Sequence, residues 1–360
     1  MEFALSEDQR FIQESARSFL ADAAGPDAQR AAAESATGFD ARLWASLAGE
    51  MGFAGLMVPE AYGGSGLGAV EMALVLEETG RTLAAVPFFE TAVLAVQAIL
   101  AGGSQAQKAE LLPRLASGEV KASFAGTADR PELANGRLSG SANFATFGHV
   151  ADLILVATAD DSLVVLPADA EALTIEPLPS LDRTRRFARL TFDGAIPDGA
   201  VLGTPGGAAA AIRRVLAIGA GLLASEQTGG AQYCLDSTVE YSRQRVQFGR
   251  PIGSFQAYKH SLADMMVMIE ASRSAALYAA AAIDGEPGEL EEACHIARIW
   301  ASDCYRHCSA EAIQLHGGIG FTWEHHAHLY FKRARATSSW LGSPEQHREA
   351  LARIILQETA

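Results

Sequence analysis

The order in which hydrophobic periods follow one another limits the possible folds of this chain more than any other feature. Up to about residue 117, apolar residues recur at three- and four-residue spacing. Leu5, Phe11, Ile12, Ala16, Phe19 and Leu20 follow a candidate Ser6 cap with acidic residues in the first turn, and 72–83 and 90–101 repeat the helical period. Between these segments the glycine-rich stretch 58–68 has to be loop. From about 118 to 203 the texture changes to short runs, Leu153-Ile-Leu-Val-Ala157, Leu163-Val-Val-Leu166, Leu173-Thr-Ile175 and Ala188-Arg-Leu-Thr-Phe192, set between Gly, Asp, Pro and Asn clusters. That is the punctuation of strands and turns. After Thr204-Pro-Gly-Gly207 the helical period returns in long Ala-rich segments at 206–245, 255–284, 289–315 and 325–356, with Asp284-Gly-Glu-Pro-Gly-Glu289 as the clearest linker. The order predicts an α+β protein: an N-terminal helical domain (1–117), a middle β-domain (118–203) and a C-terminal four-helix bundle (204–360).

Composition narrows the function classes. At about 150 residues per domain, 360 residues are enough for a large core, and 49% hydrophobic with 20% charged residues excludes a disordered or fibrous chain. A net charge of −15 argues against a general nucleic-acid or anionic-membrane partner. Four cysteines give no disulfide framework, so a reducing cytosol is expected. The N-terminus lacks a basic segment followed by an apolar one, and apolar runs such as 215–224 are too short to span a bilayer and alternate with Gly. The expectation is a soluble cytoplasmic protein.

Two motifs carry chemistry. Gln314-Leu-His-Gly-Gly-Ile-Gly-Phe321 follows a long helical segment, where glycines can simply stop the helix or can bring backbone close to a phosphate or a ring system. Its spacing is not that of the dinucleotide-binding fingerprint. Tyr241-Ser-Arg-Gln-Arg-Val-Gln-Phe-Gly-Arg-Pro-Ile-Gly-Ser-Phe-Gln256 places arginines at a helix end. They can complement the helix dipole, or Arg245 with Gln247 and Gln256 can offer forked donors beside Phe248 to a pyrophosphate. Cys304, His307 and Cys308 have helical spacing, with His316, His325, His326 and His328 further on, but no second paired set completes a tetrahedral metal site. No metal is expected.

The two motifs in this order, about 70 residues apart, resemble the acyl-CoA dehydrogenase family. So do Met51-Gly-Phe-Ala-Gly-Leu-Met-Val-Pro-Glu-Ala-Tyr-Gly-Gly-Ser-Gly66, the segment 103–118, and Ala151-Asp152 leading into a strand. The resemblance covers nearly the whole chain and implies the helix–β–helix fold, a tetramer and bound FAD. By resemblance, Arg245, Gln247, Phe248 and Gln256 match the segment that reaches the FAD pyrophosphate and adenine end, and Gln314, Gly317 and Gly318 match the glycine-rich segment approaching the same cofactor. Asn143-Phe-Ala-Thr-Phe-Gly148 resembles the strand beside the isoalloxazine, with Phe144 against the ring and Thr146 near the flavin N5; the other reading of both is an ordinary buried strand pair. The loop that in the family touches flavin and substrate departs from the pattern here and reads Ala122-Ser-Phe-Ala-Gly-Thr-Ala-Asp-Arg130, shortened.

Family chemistry is α,β-desaturation of an acyl-CoA: a carboxylate removes the α-proton while the β-hydrogen leaves as hydride to the flavin, and electrons pass to an electron-transfer flavoprotein. The thioester alone does not acidify the α-carbon enough, so the base has to be positioned and desolvated. Counted from Gln314, the customary base falls on Leu341 within Trp340-Leu-Gly-Ser343; the other customary position, counted back from Tyr241, falls on Gly219. Neither can take a proton. The nearest carboxylate, Glu226, lies seven residues from Gly219, roughly 10 Å along a helix, too far for simple substitution, and could instead tie helices or contact cofactor. Glu226-Gln-Thr-Gly-Gly230, the run 247–260 and the ending around Leu329-Tyr-Phe-Lys-Arg-Ala334 are similar to the short subunits of actinobacterial acyl-CoA dehydrogenases acting on steroid side chains. Those are α2β2 heterotetramers in which one chain carries the base and the other completes the FAD site. The alternatives are a catalytic subunit, in a homotetramer or such a heterotetramer, or a non-catalytic partner.

Overall fold

A computed structural model describes residues 4–285 and 288–356. Residues 286 and 287 of the expected linker, and residues 1–3, where the reading of a leaderless N-terminus begins, lie outside the described residues. In chain order the helices are α1 (Glu7–Ala23), α2 (Pro26–Glu34), α3 (Ala41–Trp44), α4 (Ala69–Arg81), α5 (Val96–Gly102) and α6 (Gln105–Ala116). Seven strands follow: β1 (Ala122–Ala125), β2 (Glu132–Ala134), β3 (Arg137–Thr146), β4 (Leu153–Ala157), β5 (Leu163–Pro167), β6 (Leu173–Pro177) and β7 (Phe187–Ala195). Then come α7 (Ala209–Gln244), a hairpin of β8 (Val246–Gln247) and β9 (Arg250–Pro251), α8 (Gln256–Asp284), α9 (Leu290–His316), α10 (Ala327–Ser339) and α11 (Pro344–Ile355). The chain forms two compact units, one of Met1–Gln29, Ala69–Ala84 and Ala220–Ala360, the other of Arg30–Gly68 and Ala85–Gly219.

The second unit contains both larger sheets. Parallel β1 and β4, with antiparallel β5, make the first; β2, β3, β7 and β6 pair antiparallel in that order in the other. Leu138, Ala142, Ile154, Val156, Leu166, Leu190 and Phe192 form their shared core. β7 alternates buried and outward residues as a half-covered strand should. β3 does not: its register slips between Ala142↔Leu190 and Ala145↔Ala188, so Asn143 and Phe144 both stand opposite Arg189. This is a β-bulge.

In the first unit α8 packs along α9, α10 and α11 lie on α9, and α4 contacts α1 and α8. Its core includes Met265, Ile269, Cys304, Tyr305, Cys308, Leu329 and Tyr330. Ser6 caps α1 as expected, in a reciprocal capping box with Gln9, but the buried stripe is narrower than the periodicity suggests. Only Ala16 and Leu20 are buried, and Phe11 is exposed. The expected single helix over 325–356 is two. α10 stops at Trp340, Leu341 (φ +59°) and Gly342 (φ +98°) take left-handed backbone, and Ser343 with Gln346 caps α11, whose first residue is Pro344. The expected four-helix bundle segment therefore holds five helices among the described residues. α4 and α7 meet backbone to backbone: a Cβ on Gly80 would lie 1.9 Å from the Glu226 carbonyl oxygen, and one on Gly229 1.8 Å from that of Glu77.

Against the expectation that no apolar run is long enough, α8 has the length and composition to cross a bilayer, with a mean hydropathy of 1.2 over its most apolar window. Its buried residues Met265, Ile269, Ser272, Ala276, Ala279 and Ile283 recur every three or four positions, the period of a helix packed on one side, with Ala280 and Ala282 widening the buried face near its end.

Candidate active site

The end of α7, the β8–β9 hairpin and the end of α9 enclose a cleft of about 430 Å³. Tyr241, Arg245, Gln247, His316, Gly317 and Gly318 line it, so the two motifs 70 residues apart in sequence meet. The hairpin turns through Phe248 (φ +53°) and Gly249 (φ +76°), the paired left-handed residues a two-residue hairpin turn requires, and this leaves the Phe248 ring 90% exposed. Gln256 and Gln314 are exposed on the first turn of α8 and the last turn of α9, outside the cleft wall. The Tyr258 hydroxyl donates to the Leu315 carbonyl at 3.1 Å and ties those two turns together.

The cleft suits an anion with a ring system attached. Neither the Arg245 guanidinium nor the Gln247 amide has a side-chain partner among the described residues. Gly317 sits at φ +62°, and a Cβ on it or on Gly318 would meet nothing within 4 Å. For Gly318, whose φ needs no glycine, packing within the chain gives no reason for the missing side chain; the room a Cβ would fill is room for a ligand. His316 is buried between the Tyr241 and His325 rings, 4.6 Å and 4.3 Å away centre to centre. It donates from Nδ1 to the Ala312 carbonyl at 2.7 Å, and burial lowers its pKa, so the ring is neutral and Nε2 is a buried acceptor with no partner.

In the β-sheet unit, Phe144 and Thr146 part company. The bulge turns Phe144 outward, 55% exposed at φ +62°, with its ring edge-on to Phe187 at 5.9 Å. Thr146 is buried, and its hydroxyl has no hydrogen-bond partner. The pair is thus neither an ordinary buried strand pair nor two side chains on one face. The outward Phe144 ring fits a missing planar group, and the orphaned Thr146 hydroxyl is a separate buried polar atom that lacks a partner.

Neither customary base position carries a carboxylate. Gly219 is buried on α7 and offers no carboxylate. Glu226, also buried, pairs with buried Arg333 of α10 at 3.1 Å, joining α7 to α10. Leu341 is buried in its left-handed turn. That turn is held by Arg298, a wholly buried arginine of α9 that sequence reasoning misses, although an arginine in the apolar run Cys294-His-Ile-Ala-Arg-Ile299 was the available signal. Its Nη2 donates to the carbonyls of Thr337 at 2.5 Å, Trp340 at 2.8 Å and Gly342 at 3.3 Å, and its Nη1 to Gln227 at 2.9 Å. Burial lowers its pKa to about 9, still charged at neutral pH. The carbonyls ending α10 supply the negative end of a helix dipole in place of a carboxylate. His347 donates from Nε2 to the Leu341 carbonyl at 3.0 Å, and its Nδ1 lies 2.7 Å from Nδ1 of His295, which therefore carries the shared proton. Burial, then Arg298 and His295, depress the His347 pKa to about 4.

Among the described residues no three His, Cys, Asp or Glu side chains are grouped to hold a metal. Cys304 and Cys308 are buried with their sulfurs 3.9 Å apart.

The helix–β–helix order with a glycine-lined cleft defines a fold that similarity to known proteins identifies. The family model for the acyl-CoA dehydrogenase N-terminal domain matches residues 6–119, and that for the C-terminal domain matches residues 206–356. The acyl-CoA dehydrogenase IpdE2 of Mycobacterium tuberculosis is 38% identical over 97% of this chain and 96% of its own. A solved steroid acyl-CoA dehydrogenase variant, Tcur3481–Tcur3483, superposes with a TM-score of 0.87 at 32% identity over 98% of both chains. The ChsE4–ChsE5 complex of Mycobacterium tuberculosis does so with a TM-score of 0.91 at 26% identity over the full length of both. The chain belongs to the acyl-CoA dehydrogenase family, oxidoreductases acting on CH–CH donors.

Proposed function

We propose that this protein is an FAD-dependent acyl-CoA dehydrogenase subunit that works within a tetramer, α,β-desaturating a bulky acyl-CoA such as a steroid-side-chain thioester in the cytoplasm. The observation that carries the reading is the cleft in which unpartnered Arg245 and Gln247 face the bare backbone of Gly317 and Gly318. Arg245 and Gln247 would hold the FAD pyrophosphate, with Phe248, Gln256 and Gln314 toward its adenine end. Phe144 would lie against the flavin ring and the Thr146 hydroxyl would donate at its edge. FAD, when bound, supplies the hydride acceptor. The chain's own residues then orient the ring, exclude water and neutralise the phosphates. Electrons would leave through an electron-transfer flavoprotein. The three-domain division at 117/118 and 203/204 is part of this proposal: a helical first domain, a middle β-domain and a C-terminal bundle.

A second reading is favoured by Leu341 and by the Glu226–Arg333 pair. With both customary base positions empty and the neighbouring carboxylate engaged, this chain would complete the FAD site of a homologous, base-bearing chain in an α2β2 assembly. The heteromeric ChsE4–ChsE5 relative supports it. One experiment tests both readings: the chain is purified alone and with its homologous partner, and flavin absorbance near roughly 450 nm and desaturation are measured. Absence of flavin in both preparations sinks the first reading. Robust desaturation by the isolated chain sinks the second.

A further inference from the structure

We propose that Asn143 is a positioning residue that holds the Phe144 ring out for a flavin, acting through the shortened loop after β1; this rests on the FAD reading above. Phe144 adopts a left-handed backbone, φ +62°, that a bulky aromatic residue rarely takes. Such a conformation persists only where its surroundings over-determine it, and bulges of this kind gather beside active sites, where they re-aim a side chain. Here the surroundings can be named. The Asn143 amide is used at both ends: Nδ2 donates to Asp129 Oδ2 at 2.7 Å, and Oδ1 accepts from Arg189 Nε at 3.0 Å. Arg189 is the single residue on β7 facing the two bulged ones, and Glu176 on β6 holds its other end at 3.3 Å.

Asp129 is itself a fixed point. In the loop between β1 and β2, Arg130 donates from Nε to the Gly126 carbonyl at 3.1 Å and pairs with Asp161 at 3.2 Å. The loop that lacks the family's usual sequence therefore reaches the ring indirectly, by gripping the residue before it. Only a side chain that donates and accepts at once can bridge Asp129 and Arg189 in this way, which Asn does and an ionised Asp or a Leu does not. With the clamp released, the strand can slip toward regular alternation and turn Phe144 away from its outward position.

The test uses the full chain stripped of flavin and titrated with FAD, with amide exchange followed across 142–146. Asn143→Ala is expected to weaken FAD about tenfold, the scale of one lost preorganising hydrogen bond, to blur the fine structure of the bound flavin band and to speed exchange at the bulge. Asp129→Ala, in an exposed loop, is expected to do the same, and the double variant to do no more than either single, because both act through one bond. Arg137→Ala removes an exposed pair with Asp193, 3.6 Å apart on the same sheet, and leaves every readout unchanged. Unaltered affinity, spectrum and exchange in Asn143→Ala overturn the clamp and leave the FAD reading standing. A wild-type chain that binds no FAD, while Asn143→Ala still loosens the bulge, overturns the flavin role and keeps the clamp.

Discussion

Two polar regions in the C-terminal helices handle charge in opposite ways. In the cleft, Arg245 and Gln247 are exposed and have no side-chain partner among the described residues, beside glycines that leave space open. Around Leu341, Arg298 and Arg333 are buried, one neutralised by carbonyls that end a helix and the other by Glu226. Desolvating a charge costs several kcal/mol unless its partners are in place, so the second arrangement is bound to its own protein and the first is available to something else. The contrast teaches where to look for ligand chemistry in this chain: at the exposed, unpaired donors rather than at the conspicuous buried carboxylate.

The comparison can be broken at several points. The largest effect is expected from Glu226→Gln, which strands a buried guanidinium: a loss of about 3–5 kcal/mol in chemical denaturation, with flavin retained by the folded fraction. A variant of wild-type stability that has lost turnover would instead make Glu226 the base. The next is a pH effect. His347 titrates at about 4 in the fold, against its ordinary value of 6.5, because burial, Arg298 and His295 disfavour its charged form. The unfolded chain then takes up the proton first. Stability from this group is therefore complete above about 6.5 and is lost as pH falls toward 4, on the order of 3 kcal/mol in all. Thermal melts at intervals across that range should show the fall, and His347→Gln should flatten it. Equal slopes in the two proteins would show that the tied-off turn does not depend on a neutral His347. The smallest effect sharpens the other side: Gly318→Ala, with open space for its Cβ, should raise the stability of the flavin-free chain by about 0.4–1 kcal/mol while weakening FAD. A variant that binds FAD as tightly as wild type would remove Gly318 from the site.

Much of the architecture was legible because it rests on local rules. β4 begins and ends where the run Leu153-Ile-Leu-Val-Ala157 does, and α8 and α9 lie within a residue of their expected ends. Periodicity failed where the backbone departs from its period. The break at 340–343 is signalled by Gly342, Ser343 and Pro344, yet the Ala- and Arg-rich residues on either side read as one helix. The bulge at Asn143 has no sequence signal of its own, since it depends on which residues of β7 stand opposite. In the site, Arg245, Gln247, Gly317 and Gly318 were legible as motif members and the cleft brings them together, whereas Gln256 and Gln314 flank it. Arg298 was not legible, because its partners are main-chain carbonyls about forty residues away.

The three-part composition of the first unit has a consequence for how the chain is made. Its early pieces, Met1–Gln29 and Ala69–Ala84, belong with residues from Ala220 onward, which lie about 190 and about 135 residues further along the chain. At roughly 5–20 residues per second, α4 waits about 7–27 s on the ribosome, and α1 longer, before residues from Ala220 onward begin to emerge. A message truncated before residue 220 yields a product in which α1 and α4 have, within this unit, only each other to pack on.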